Sequence, residues 1–487
     1  MKITAHREKL NRELSFNAHC AIIAPESTHF MRQTMNVAGK AISIIGAAKS
    51  GLSAARSLVE SGAHVFISDI QNEEKLKQSL QREGLTGKVQ FEAGGHTERV
   101  LDASFIVLSP GVRPDIPVLV EAEKRKIPVY SEIEVAYRLS KGRRLVVTGS
   151  NGKTTTTTLL SLFCREQFKD VFLGGNIGIP MMDFAARTSE DSVQVLEVSS
   201  FQLETISEFK PDIAMITNFF ENHLDRYPSY RAYIDAKKRI ALNMGPEHWL
   251  ILNADQQSMR EMAGQVRCKT AWFGWDTGEL FPCLTVCGEH FVYIDENKKK
   301  HELFPVASVK LIGRHNLENV MAAALAALLA GVEAKNLEKV AKEFPGVEHR
   351  LEWVADISGI TFINDSKGTN CAASITALKA CQPPIILIAG GRDKGTDLSE
   401  WVTAVRTASR GVVLYGEARD RFRSAFEGLV PLKSVSSFEQ AVNTAYEWAE
   451  KGDTVLLSPA CSSYDLFPNF EIRGERFKEL VKALQPK

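Results

Sequence analysis

The chain has 487 residues, room for about three domains of ordinary size and a sizeable core. Lysine plus arginine (59) balances aspartate plus glutamate (59), so no net field draws in nucleic acid or an anionic membrane, and any anionic ligand must be met by local basic groups. The longest apolar run, Val320 to Ala330, has 11 residues where a membrane span needs about 20, and the eight scattered cysteines, without CxxC or zinc spacing, suit reduced thiols in a cytoplasmic protein.

Residues 1–36 contain no apolar core of signal-peptide length. With Met31 and Met35 inside them, they read as a polar extension or a mis-assigned start, and no function is assigned to them. From Lys40 onward short β-rich runs alternate with helical stretches, which predicts parallel sheets covered by helices. In a first domain, residues 37–138, Ala41–Ile45 reads as a strand, Gly46-Ala-Ala-Lys-Ser-Gly51 as a turn and Leu52–Ser61 as a helix. A second strand, His64–Ser68, ends at Asp69. This is a Rossmann-like opening, but the dinucleotide fingerprint needs glycine at position 48, where Ala48 stands, so NAD is disfavoured. The helix start can still receive a diphosphate. A strand at Phe105–Leu108 runs into Ser109-Pro110-Gly111-Val112, at the sheet end where ligands of open α/β sheets bind; a plain Pro-Gly turn is the other reading.

A second domain, residues 139–345, opens with the apolar run Leu145–Val147 and then Thr148-Gly-Ser-Asn-Gly-Lys-Thr-Thr155. Backbone amides at such a turn and helix start converge on phosphate oxygens, Lys153 adds a point charge, and the Thr154 hydroxyl suits Mg²⁺, so ATP or GTP is the first ligand to consider. The common pattern holds four residues between its glycines; here Gly149 and Gly152 enclose only Ser150 and Asn151. Glu197, near the end of a predicted strand Val193–Val198, is a hard oxygen ligand for Mg²⁺ or a solvated strand-end carboxylate. After the strand Ile213–Thr217 come Asn218, His223 and Asp225, where the histidine by itself reads better as a turn cap than as a metal ligand. Lys237, in a Lys-Lys-Arg run, by itself reads as a helix-surface charge. A strand at Trp249–Leu252, a β-rich stretch over Thr270–Val309 and an Ala-rich helix over Asn316–Leu329 complete the domain.

The third domain, residues 346–487, carries predicted strands near Ile360–Ile363, Ile385–Ala389, Gly411–Leu414 and Thr454–Leu457. Gly346-Val-Glu-His-Arg350 offers a guanidinium fork for phosphate or carboxylate. Asn364-Asp-Ser-Lys-Gly-Thr-Asn370, Gly390-Gly-Arg-Asp-Lys394 and the segment Ser458–Phe470 place cations, hydroxyls and amides at strand ends. Three such loops in one domain point to a small, multiply charged anion.

The short TGSNGKTT loop, Gly174-Gly-Asn-Ile-Gly178, Glu197–Glu204, Asn222–Tyr227, Asn364–Asn370 and the segment from Ser458 through Phe477 together resemble the Mur ligase family, ATP-dependent enzymes that add amino acids to the peptidoglycan precursor. The resemblance covers roughly residues 40–485, and its last two segments are similar to those of members that add D-glutamate. It implies an α/β fold of three domains: a Rossmann-like N-terminal domain for the UDP-substrate, a central P-loop-type ATPase domain and a Rossmann-like C-terminal domain for the amino acid. It further implies that ATP phosphorylates the carboxylate of UDP-N-acetylmuramoyl-L-alanine and that the amine of D-glutamate attacks the acyl phosphate, with two Mg²⁺ and Lys153 countering the charge. On this resemblance Lys153, His223 and Lys237 are catalytic. Gly149, Ser150, Asn151, Gly152, Lys153, Thr154 and Thr155 cradle ATP, joined by Asn319, Arg350 and Asp365. Thr154 and Glu197 hold one metal, and His223 and Lys237, as a carbamate, help hold the other, which reverses the surface reading of Lys237. Lys367, Thr369, Lys394, Ser463 and Phe470 match a D-glutamate pocket. Ser50 and Gly51 match a diphosphate site, with Asp69 near uracil and Asn176 on the muramoyl-peptide portion. Ala48 and Ile70 depart from the family's pattern in this first domain. A cytoplasmic monomer is expected, without nucleic acid or membrane insertion. Another amide-forming Mur or folylpolyglutamate-type ligase with a different amino-acid specificity, and an NTP-hydrolysing regulator or catalytically silent nucleotide-binding protein, are the alternatives.

Overall fold

The computed structural model describes residues 35–221, 226–393 and 395–486. From Val37 onward the chain forms one compact unit built on three sheets. The first is all parallel, with strands β1 (Ala41–Ile45), β2 (His64–Asp69), β3 (Gln90–Ala93), β4 (Phe105–Leu108) and β5 (Val129–Ser131) in the order 3-2-1-4-5. The order reverses at β1, so the loops after β1 and β4 flank one crevice at the carboxyl ends of the strands. The helix after β1 runs Lys49–Glu60, three residues earlier than its sequence suggested. It starts early because Gly51 carries no side chain: a Cβ there would lie 1.9 Å from the Gly46 carbonyl oxygen.

The second sheet has nine strands in the order 14-13-12-11-10-9-6-8-7. Six of them, β6 (Arg143–Thr148), β7 (Val171–Gly175) at one edge, β8 (Val193–Glu197), β9 (Ile213–Ile216), β10 (Trp249–Asn253) and β11 (Lys269–Phe273), are all parallel. Beyond β11, β12 (Cys283–Cys287), β13 (His290–Ile294) and β14 (Lys300–Pro305) extend the sheet to its other edge. Alternation along the chain predicted parallel pairing; β12–β13 and β13–β14 are instead antiparallel, because turns around Gly288 and Lys298 are too short for a crossover. Two helices, Lys153–Arg165 and the Ala-rich Arg314–Ala330, pack on each other against the centre of this sheet, burying Leu159, Leu160, Phe163, Met321 and Leu325 completely. Alanines 322–324 and 326–327 are fully buried and let the two backbones approach closely.

The third sheet, in the order 15-16-20-17-18-19, contains β15 (Glu352–Ile357), β16 (Ile360–Asn364), β17 (Ile385–Gly390), β18 (Ser409–Tyr415), β19 (Leu432–Ser434) and β20 (Thr454–Leu457). All its pairs are parallel except the β15–β16 hairpin. Its polar loops therefore emerge from neighbouring strand ends, as the three clusters in the sequence required. Among the described residues no helix is long and apolar enough to cross a membrane.

Candidate active site

The loop after β6 is held in shape before any ligand is considered. Gly149 (φ +141°) and Gly152 (φ +79°) take backbone conformations that other residues rarely adopt. Thr217 and Asn218, at the end of β9, clamp the loop from one side: Thr217 Oγ1 donates to the Asn151 carbonyl (2.6 Å), and the Asn151 amide donates to Asn218 Oδ1 (2.8 Å). The Ser150 amide donates to the Asn218 carbonyl (2.9 Å), and its hydroxyl bonds to Phe220. The amides of Ser150 and Asn151 thus shape the loop, while those of Lys153, Thr154 and Thr155 open a helix and have no carbonyl of their own turn to bond. This half of the expected cradle presents free donors and the positive end of the helix. Lys153 Nζ folds back onto the Ser150 carbonyl (2.9 Å), and burial, with Arg350 adding, lowers its pKa against the opposing pull of Glu197.

Glu197 ends β8, the neighbour of β6, and is buried. One carboxylate oxygen accepts from Asn176 Nδ2 (2.8 Å); the other is buried without a hydrogen-bond partner. Burial pushes its pKa up, but the Lys153 charge and the Asn176 amide outweigh it and hold the carboxyl below its ordinary range. A bare anionic oxygen next to the loop carrying the buried Thr154 hydroxyl fits a hard divalent cation. Asn176, expected on the substrate's muramoyl-peptide portion, is placed here with its amide on this carboxylate, since β7 and β8 are paired and Gly175 faces Glu197.

Lys237 is 2% exposed, on the same helical face as Tyr233 and Ala236, whereas Lys238 turns outward. Its Nζ donates to the Gly149 carbonyl (2.7 Å) and lies 4.6 Å from the centre of the Tyr233 ring. Burial, and then the like charge of Lys153, push its pKa well below the ordinary lysine value. The surface reading of this residue is therefore wrong: the amine is buried beneath the phosphate loop, and its protonated form is disfavoured. Tyr233, which the sequence reading missed, donates to Ser150 Oγ (3.1 Å); its position one helical turn before Lys237 was the available signal.

From the third sheet, Lys367 reaches across to the phosphate loop, its Nζ donating to Thr154 Oγ1 at 3.4 Å. Burial, with Arg350 adding, lowers its pKa to about 8. Lys367 also lies 5.4 Å from the Phe470 ring, so it stands between the phosphate loop and the expected amino-acid pocket. Asp365, just past β16, is buried and accepts from Ser458 Oγ (2.7 Å); burial raises its pKa to about 7 despite that bond and the nearby Arg350. Phe470 opens the helix Phe470–Lys482, its carbonyl accepting from Ser366 Oγ (2.8 Å), and Ser463 is buried at the same end of the sheet. Thr369 closes the turn after Lys367, to whose carbonyl its amide donates (2.8 Å). Asn319, expected on the nucleotide, lies under the loop: its Oδ1 accepts from Thr156 (3.2 Å), its Nδ2 donates to Asn316 (3.0 Å), and a Cβ at Gly152 would meet it at 2.2 Å.

In the first sheet, Ser50 and Gly51 lie in the first turn of the helix Lys49–Glu60, where amides face the crevice's anion-binding end. Asp69, expected near uracil, uses both oxygens within the fold, on the amides of Ala47 and Gln71. Residues 1–34, His223 and Lys394 lie outside the described residues. Glu348, His349 and Glu475 also converge, but Lys478 already contacts Glu348 (3.1 Å), Glu352 (3.3 Å) and Glu475 (2.8 Å), which makes this an ion-pair cluster rather than a metal site.

Three family models match along this chain: the Mur ligase MurD-like N-terminal domain over residues 40–131, the Mur ligase middle domain over 147–327, and the Mur ligase glutamate ligase domain over 349–461. The chain belongs to the Mur ligase family. A protein of Acidobacterium capsulatum named UDP-N-acetylmuramoylalanine–D-glutamate ligase is 40% identical over 452 residues, which cover 92% of this chain and 97% of that protein. One of the same name from Alkaliphilus metalliredigens is 37% identical over 456 residues, covering 93% and 100%. Among solved structures, UDP-N-acetylmuramate-alanine ligase MurC from Thermotoga maritima matches with a TM-score of 0.58 at 20% identity, over 91% of this chain and 99% of that one. A pseudomurein peptide ligase type C from Methanothermus fervidus matches with a TM-score of 0.57 at 18% identity, over 92% and 100%. These structural likenesses concern the fold.

Proposed function

We propose that this chain catalyses the ATP-dependent ligation of D-glutamate to UDP-N-acetylmuramoyl-L-alanine, in peptidoglycan precursor synthesis, as a cytoplasmic monomer. The carrying observation is the convergence, at the mouth of one phosphate loop, of a carboxylate with a bare buried oxygen (Glu197) and three cations, Lys153, Lys367 and Arg350. Joining a carboxylate to a triphosphate demands concentrated positive charge, and that is what these residues supply. The name borne by relatives 37–40% identical over almost their whole length supports the choice of substrates. In the reaction, a carboxylate oxygen of the alanyl group bonds to the γ-phosphorus as the bond to the ADP oxygen breaks. The D-glutamate amine then bonds to the acyl carbon, inorganic phosphate leaves, and the amine gives up a proton. Lys153 faces the γ-phosphate, Gly149 to Thr155 the triphosphate, Arg350 reaches a phosphate, Asp365 lies near the ribose, and Asn319 serves the nucleotide from beneath the loop. Thr154 and Glu197 would hold one Mg²⁺, with His223 and carbamylated Lys237 at a second; when bound, these ions neutralise phosphate charge. Carbamylation needs an uncharged amine, and the depressed pKa of Lys237 supports it. Lys367, Thr369, Lys394, Ser463 and Phe470 take D-glutamate, and Ser50, Gly51, Asp69 and Asn176 border the UDP-substrate. The working units are residues 37–138, 139–345 and 346–487, and residues 1–36 have no assigned role.

Purified protein with ATP, Mg²⁺ and UDP-N-acetylmuramoyl-L-alanine is offered D-glutamate, L-glutamate, L-alanine or diaminopimelate in parallel. Phosphate release with D-glutamate alone is expected; equal release with all four, or none with D-glutamate, sinks the assignment. Lys237→Ala should abolish ligation and recover part of it with a short-chain carboxylic acid that replaces the carbamate's oxygens, whereas full activity without rescue would make this lysine structural.

A further inference from the structure

Arg226 joins two regions that the ligation must keep in register. Its side chain is 12% exposed. Nη1 donates to the Pro110 carbonyl (3.0 Å) and Nη2 to the Val112 carbonyl (3.2 Å), both in the turn after β4 of the first sheet. Nη2 also donates to Glu204 Oε2 (2.8 Å), and the guanidinium lies over the Phe201 ring, 4.1 Å from its centre. The other Glu204 oxygen accepts from the Tyr227 hydroxyl. Tyr227 packs against Tyr233 with ring centres 5.4 Å apart, and Tyr233 bonds to Ser150 of the phosphate loop (3.1 Å). At the other end, Ser109 Oγ donates to the Gly46 carbonyl (2.7 Å), fixing the same turn to the loop that opens the helix Lys49–Glu60. An unbroken set of contacts thus connects the first sheet's crevice with the loop where phosphate is transferred.

On the function proposed above, the substrate's uridine diphosphate sits at that crevice and its alanyl carboxylate at the phosphate loop. Both ends belong to one covalent molecule, so the two regions must stand at a spacing that matches it. A misplacement of about 1 Å costs roughly 10²-fold in rate. A planar fork that holds two carbonyls, a carboxylate and a ring face fixes distance and angle together, which a flexible ammonium does not. We propose that Arg226 is a positioning residue that sets the spacing between the uridine-diphosphate end and the reacting end of the substrate, so that binding at the first sheet aligns the carboxylate at the phosphate loop.

The test compares full-length wild type with Arg226→Met and Arg226→Lys, measuring the Kd for UDP alone, kcat and KM for UDP-N-acetylmuramoyl-L-alanine, and Tm. UDP affinity should stay within about twofold while kcat/KM falls roughly 10- to 100-fold, chiefly through kcat, with lysine restoring only part. Parallel losses of UDP affinity and kcat/KM would show that Arg226 merely supports the turn and would overturn the proposal. So would an unchanged kcat/KM, or wild-type protein that does not bind UDP. Should Arg226→Met unfold at the assay temperature, Glu204→Gln loosens the same fork at constant volume and takes the same comparison. Wild-type protein that binds UDP but does not ligate D-glutamate refutes the proposed function instead, before any variant is compared.

Discussion

Gly152→Ala isolates the geometry of the phosphate loop. Gly152 has φ +79°, and an added Cβ would lie 2.2 Å from Asn319 Oδ1. The left-handed backbone alone costs about 1 kcal/mol for alanine. Relieving the contact means moving Asn319, which is 5% exposed, away from the fully buried Thr156 hydroxyl that bonds to it at 3.2 Å. Leaving that buried pair unmade costs about 1–3 kcal/mol more. The sum, about 2–4 kcal/mol, corresponds to a Tm loss of roughly 5–15 °C for a domain of this size. Gly178→Ala is the control: its φ is +65°, but the nearest atom to a Cβ is 3.9 Å away, so only the backbone cost of about 1 kcal/mol remains. Thermal unfolding of both variants, with calorimetric titration of MgATP, measures the difference. Gly152→Ala should also lose roughly tenfold or more in nucleotide affinity, because the amides that open the helix shift with it. If the two variants lie within about 1 °C of each other and bind MgATP alike, the close approach of Gly152 to Asn319 is refuted.

Glu197→Gln keeps the acceptor for Asn176 and the side-chain volume but removes the bare anionic oxygen, so Mg²⁺-dependent turnover should fall by about 10² or more while the Tm changes little. A variant with wild-type turnover across a Mg²⁺ titration would exclude Glu197 as a metal ligand. Glu132 is 1% exposed, accepts from the Met182 amide (2.7 Å) through one oxygen and has no partner on the other; burial raises its pKa to about 7. A carboxyl whose folded pKa is raised favours the fold below its unfolded pKa and loses that contribution as pH climbs through 7, up to about 3 kcal/mol. Glu132→Gln should therefore flatten the decline of Tm between about pH 4.5 and about 7 and exceed wild type above that range. Identical slopes would show that Glu132 is not the group responsible.

The glycine-rich loop after β6, most strand positions and the polar loops of the third sheet were legible in the sequence because their signals are local. Apolar runs end in glycines, and a Gly-Lys-Thr step follows a strand directly. Antiparallel pairing at the edges of two sheets escaped the alternation argument, since it depends on turn lengths around Gly288 and Lys298 and on the β15–β16 hairpin. Side-chain roles that depend on what lies opposite were not legible either. Lys237 belongs to a charged run that looks solvated, and only the packing of its helix turns it, rather than Lys238, beneath the Gly149 carbonyl. Asn176 and Glu197 meet because β7 and β8 pair in one register, Lys367 meets Thr154 because the loop after β16 reaches the loop after β6, and Asp69 is tied down by the Ala47 amide. Arg226 sits in a segment read for its histidine, yet its partners are carbonyls more than a hundred residues away. Local chemistry thus determined which cationic, carboxylate and hydroxyl side chains stand in the loops at the strand ends. Tertiary packing decided which of them face one another, because hydrogen-bond partners and desolvation are set by neighbours in space rather than along the chain.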